Sequence, residues 1–125
     1  MTGDYRGSAK SLEEALGISR DIGDRGGEAE TLVEIGTLHQ VRGDRDYAVG
    51  YFRQALHLAR EITSPGDEAP ALAGLGRCAL AGGRTADAIA ALRQARDIFR
   101  RIGAAEAADV AAELSGVRDR TGTWF

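Results

Sequence analysis

Apolar residues recur along this chain at the spacing of a helix face. Leu32, Ile35, Gly36 and His39 fall at i, i+3, i+4 and i+7, and Ala48, Phe52, Ala55, Leu58, Ala59 and Ile62 repeat the pattern. Turn-forming residues separate the runs. Gly43-Asp44 and Gly82-Gly83-Arg84-Thr85 read as tight turns, with Asp44 and Thr85 as N-caps. Thr63 to Asp67 reads as a longer connection. Asp67 would cap the next helix and Pro70 would lie in its first turn, where a missing N–H does no harm. Gly23 through Gly27 reads as the matching earlier loop. Six helices are expected, near 5–22, 28–42, 45–62, 68–82, 85–102 and 104–120, with a tail over 121–125. The predicted fold is all-α: antiparallel helix hairpins stacked in one domain over residues 1–125.

The pattern is internally repeated. Leu12, Phe52 and Leu92 align at a constant offset of 40, as do Ala15, Ala55 and Ala95, and Ile18, Leu58 and Ile98. Ser8, Ala48 and Ala88 follow the same shift, as do Arg20, Arg60 and Arg100. A further series is Gly36, Gly76 and Gly116. A glycine on one helix opposite an alanine on its mate lets two backbones approach, while Leu32, Leu72, Phe52 and Leu92 fill the space around the contact. A bulky residue at Gly76 is expected to cost about 1–3 kcal/mol by overpacking.

These positions are similar to the signature of the tetratricopeptide repeat: Leu32, Ile35-Gly36, Ala48, Phe52 and Ala55, then Leu72, Leu75-Gly76, Ala88, Leu92 and Ala95. The 40-residue period resembles the longer variant found in bacterial regulatory proteins and signalling adaptors. The resemblance implies an α-solenoid that binds a protein or peptide, as a scaffold or as the regulatory module of a larger regulator. His39 and Ala79 stand where the family has Tyr, and Arg60 and Arg100 where it has Pro. The family's carboxylate clamp needs Asn, and this chain has none, which argues against a receptor for chaperone tails.

Composition narrows the function. The net charge is -3, from 16 basic and 19 acidic residues that are interspersed, so no basic block favours nucleic acid. Lys10 is the only lysine among the basic residues. A single cysteine, Cys78, excludes an internal disulfide, and no apolar window reaches the length of a membrane span. A cytoplasmic protein without membrane partners is expected. His39 and His57 lie on different helices with no ligand at metal spacing, so no metal or cofactor is expected. His39 and Cys78 read as packing residues. No nucleophile–base order or phosphate loop is present, and no enzymatic activity is expected. Arg20, Arg60 and Arg100 read as last-turn cations facing the helix dipole.

Two surfaces are candidates for binding. In this fold the first helix of each unit lines the inner face. Val33, Thr37 and Gln40, then Ala73, Arg77 and Leu80, make two stripes at i, i+4 and i+7, and Arg77 could meet a partner's carboxylate. The other candidates are the ends of the stack. The opening helix has the pattern of a second helix of a unit and the closing helix that of a first. The face of Ser8, Leu12 and Ala15 is therefore the complement of the face of Ala112, Gly116 and Val117. End-to-end self-association is the alternative function, with Trp124 and Phe125 as candidates to add to the contact.

Overall fold

The computed structural model describes residues 5–121, with side chains from 6 to 117. Six helices follow one another: α1 (Tyr5–Ile22), α2 (Arg25–Arg42), α3 (Arg45–Glu61), α4 (Pro65–Ala81), α5 (Thr85–Arg101) and α6 (Glu106–Thr121). The described residues contain no strand. Helices α2 and α3 form one hairpin and α4 and α5 the next. Helix α1 packs on α2, α6 on α5, α3 on α4, and α2 touches α4 across the stack. This is the all-α repeat architecture that the 40-residue period predicts.

The turns keep time at half that period. Residues 23, 43, 63, 83 and 103 all have positive φ; four are glycine, and Thr63 is the exception with φ 54°. Each turn carries the same pair of backbone bonds. The amide of Asp24 donates to the carbonyl of Ser19, Asp44 to His39, Ser64 to Ala59, Arg84 to Ala79 and Ala104 to Phe99. The positive-φ residue before it donates to the carbonyl three back, giving the Schellman termination of a helix. The same termination closes each of the helices α1 to α5.

Several boundaries differ from the sequence expectation. Gly26 and Gly27 belong to the first turn of α2, not to a loop, because the Asp24 carboxylate accepts from the Gly27 amide at 2.9 Å and starts the helix early. Ser64, not Asp67, is the N-cap of α4. Asp67 lies inside the first turn and accepts from the Ser64 hydroxyl at 2.8 Å. Pro70 is consequently inside the helix, where its ring removes the bond that residue 70 would donate to the carbonyl of Gly66. Asp44 occupies the N-cap of α3 without a side-chain cap bond, and Arg84, not Thr85, precedes α5.

The interior is built on glycine contacts. A methyl group at Gly36 would come within 2.8 Å of the Phe52 ring, and one at Gly76 within 2.8 Å of Leu92 Cγ. The large residue itself, more than Ala48 or Ala88, occupies the space the glycine leaves. The Phe52 ring also lies against Gly74 of the next hairpin. One repeat on, Leu92 replaces Phe52 and Leu114 replaces Gly74, and both leucines belong to one apolar cluster. Volume lost on one side is regained on the other.

Candidate functional site

Helices α2, α4 and α6 share a face, and a cavity of about 150 Å³ opens on it. Its walls are Val33, Thr37 and Gln40 from α2, Pro70, Gly74 and Arg77 from α4, and Glu106 and Asp109 from α6. Phe52 and Phe99, from the outer helices α3 and α5, form its floor. The short side chains of Pro70 and Ala73 leave room on the α4 side of the cavity.

The structure thus brings five of the predicted groove residues, Val33, Thr37, Gln40, Ala73 and Arg77, to one cavity. Leu80 is half-buried further along α4 and does not line it. Ala73 is only 1% exposed and forms floor, not rim. The Thr37 hydroxyl donates to the Val33 carbonyl at 2.9 Å, so it presents acceptor lone pairs to the cavity.

Arg77 is not free to meet a partner's carboxylate. Its Nε and Nη2 donate to the two oxygens of Glu113 at 2.8 and 2.7 Å, a bidentate pair that ties α4 to α6. That hydrogen bonding holds the guanidinium pKa above its usual value against the opposing effect of burial, and Asp109 adds to the same field. Sequence spacing could not reveal the pair, because Glu113 lies 36 residues away, off the repeat offset.

The end faces are partly as expected. Ser8 is exposed, and Leu12 and Ala15 are half-buried. Ala112 is exposed, and a methyl group at Gly116 would meet nothing within 4 Å, in contrast to Gly36 and Gly76. Val117 is a correction: it is 1% exposed and therefore no part of an open face. It lies seven residues after Val110 and so on the same stripe, which faces the core with Leu92 and Phe99. Trp124 and Phe125 lie outside the described residues.

The remaining marked residues pack. The His39 ring stacks on Tyr47 and Tyr51, each at a centroid distance of 5.4 Å. Cys78 is 3% exposed, and burial raises its thiol pKa although Arg45 pulls the other way. Arg20 and Arg60 do not simply face the helix dipole. They reach across their turns to Glu28 and Glu68 at 3.1 and 3.2 Å. A second cavity, of about 320 Å³, lies between α3, α4 and the turn before α5 and gathers Arg45, Arg53 and Arg84 beside Asp46 and Cys78. Sequence reasoning missed it. Its only signal was the i, i+8 spacing of Arg45 and Arg53.

A family model described as tetratricopeptide repeat matches residues 27–101. No curated protein matches the sequence. No helix among the described residues is long and apolar enough to cross a membrane.

Proposed function

We propose that this chain, which belongs to the tetratricopeptide repeat family, is a protein-binding scaffold that holds a segment of its partner on the face of α2, α4 and α6. Repeats of this family generally mediate protein–protein interaction. The observation that carries the location is the cavity itself: three consecutive inner helices contribute to one concave site. The outer helices supply its floor but are spent on packing. The arrangement offers no paired nucleophile and base, so it is read as a binding surface. A regulatory role inside a larger regulator is the same reading one step on, in which occupancy of the face carries the signal. The test is site-specific photocrosslinking in native extract. A crosslinker at Thr37 should capture a partner that one at Gln94, on the outer surface, does not. Capture from Gln94 alone would refute the location.

A second reading is favoured by a separate observation. Gly36 receives Phe52 and Gly76 receives Leu92, while the equivalent space at Gly116 is open. Leu12 occupies the register of Phe52 and Leu92 and is only half-buried. Exposed Ile18 and Ile22, at 61% and 71%, extend the apolar surface of α1. Leu12 of one copy therefore fits over Gly116 of another, completing a hairpin between molecules. Light scattering should show concentration-dependent mass that Gly116→Arg lowers. A chain monomeric to millimolar concentration would count against it.

A further inference from the structure

We infer that the cavity between α2, α4 and α6 accepts a cationic side chain, an arginine or lysine, from the bound partner; this rests on the reading of that face as the binding surface. The charge balance of the site supports it. Arg77 is the one described cation lining the cavity, and Glu113 neutralises it in a bidentate pair. Two further carboxylates line the same cavity, Glu106 and Asp109. Both are exposed, and among the described residues neither forms a hydrogen bond or an ion pair. Glu30 and Glu34 are exposed beside Val33 on α2 and extend the same field. An anionic partner would meet repulsion here, whereas a cationic one finds two carboxylates that no hydrogen bond or ion pair among the described residues engages, Asp109 acting on Arg77 only through its field.

Shape agrees with charge. A volume of about 150 Å³ lies below the roughly 300–1,000 Å³ of ligand pockets and suits a single side chain, not a helix. Below the carboxylates lie Val33 on the wall and Ala73, Phe52 and Phe99 on the floor. A lysine or arginine has this two-part character, an apolar stem under a charged head. The stem would lie on the aromatic and aliphatic floor and the head would reach Glu106 and Asp109.

The experiment uses the full chain and three synthetic 12-residue peptides of Ala, Ser and Gly. They differ only in carrying two Arg, two Glu or two Gln. Amide chemical shifts of the isotope-labelled chain are followed during titration. The Arg peptide is expected to shift Val33, Ala73 and Gly74, with affinity at least tenfold above that of the Glu peptide. Glu106→Gln with Asp109→Asn should lower that affinity about tenfold. Glu14→Gln with Asp21→Asn, which changes net charge equally on α1, should leave it within twofold. Equal loss in both double variants would overturn the proposal, since diffuse attraction to an acidic chain would then suffice. Binding of the Glu peptide to the same amides would overturn the charge assignment while leaving the face as the binding surface. Absence of shifts at these amides with all three peptides would overturn the cationic pocket. The Thr37 crosslink would still decide the face.

Discussion

The ring of Phe52 lies flat against the backbone of Gly74, so that only a hydrogen fits between two consecutive hairpins. Gly36 confines the same ring from its own hairpin, so the ring has no direction in which to yield. This decides the sign of a substitution. Gly74→Ala gains about 1 kcal/mol in helix propensity but loses about 1–3 kcal/mol to overpacking, and the protein should be destabilised. Phe52→Leu opens the room that the alanine needs, as Leu92 and Leu114 do one repeat later. In that background Gly74→Ala should be neutral or stabilising. Urea unfolding of the four proteins of this cycle measures the coupling; equal effects of Gly74→Ala in both backgrounds would contradict it.

The recurrence of Gly36 and Gly76 with large neighbours at a fixed offset was readable in the sequence; that Phe52 and Leu92, more than Ala48 and Ala88, fill the space beside them was not. The partner of Gly74 was not readable, since Phe52 belongs to the preceding hairpin and the repeat counterparts of Gly74 are Glu34 and Leu114. The 20-residue beat of the turns was hidden by Thr63, which breaks the run of glycines, and by Gly26 and Gly27, which look like loop until Asp24 is seen to cap them. The groove stripe followed from helical spacing alone, and five of its six residues do meet at one cavity. What its charges do was not legible, because the Arg77–Glu113 pair joins helices of different repeats. Val117 was misread because α6 begins at Glu106, one residue later than the beat of 25, 45, 65 and 85 would place it.

Thr63 holds a left-handed conformation that its four counterparts assign to glycine. A β-branched side chain there is strained, by about 1–2 kcal/mol on the scale of left-handed residues. Thr63→Gly relieves that strain and gives back about 0.5–1 kcal/mol of unfolded-state entropy. The net expectation is a gain of about 0.5–1 kcal/mol, seen as a higher urea midpoint at unchanged slope. A lower midpoint would show that the threonine side chain contributes contacts that outweigh its backbone.

Arg77 and Glu113 join α4 to α6, but both are more than a third exposed, at 40% and 35%. Solvent screening therefore limits the pair to about 0.5–1 kcal/mol despite its bidentate geometry. A double-mutant cycle with Arg77→Ala and Glu113→Ala should return a coupling of that size, reduced in high salt. Arg77→Glu should do more harm than either truncation, because it sets a carboxylate beside Glu113 and near Asp109. Its melting temperature should fall below that of Arg77→Ala. An unchanged melting temperature would mean that α6 docks without this pair.

Cys78 is buried under α3 and the turn before α5, and burial raises its thiol pKa. Both facts suppress the thiolate, the species that alkylates. Iodoacetamide at neutral pH should modify the folded chain far more slowly than the urea-unfolded chain, with a rate that tracks the population of the open form. Rapid modification of the folded protein, with no loss of helix signal, would show that the cavity beside Arg45 exposes the sulfur.

The Tyr51 hydroxyl donates to Glu13 at 2.8 Å and links α3 to α1. That hydrogen bond, then burial, then the Glu13 charge raise the phenol pKa above 10.0, with Arg20 opposing. The sign follows from linkage: a group whose folded pKa is raised is stabilising while protonated. The contribution is fully present below the unfolded value of about 10 and is lost as pH rises through the folded value. Losing the bond should cost about 0.5–1 kcal/mol, given the exposed carboxylate. Few groups complicate this window, since Lys10 is the only lysine and arginine stays charged. The Cys78 thiol titrates in the same sense and is best removed by working in a Cys78→Ala background. There, stability measured between pH 9 and pH 11 should fall for the tyrosine protein and stay flatter for Tyr51→Phe. At pH 8 the Tyr51→Phe chain should already be weaker by the lost bond, so the two curves converge as pH rises. Parallel curves across the window would show that the phenol does not titrate against Glu13.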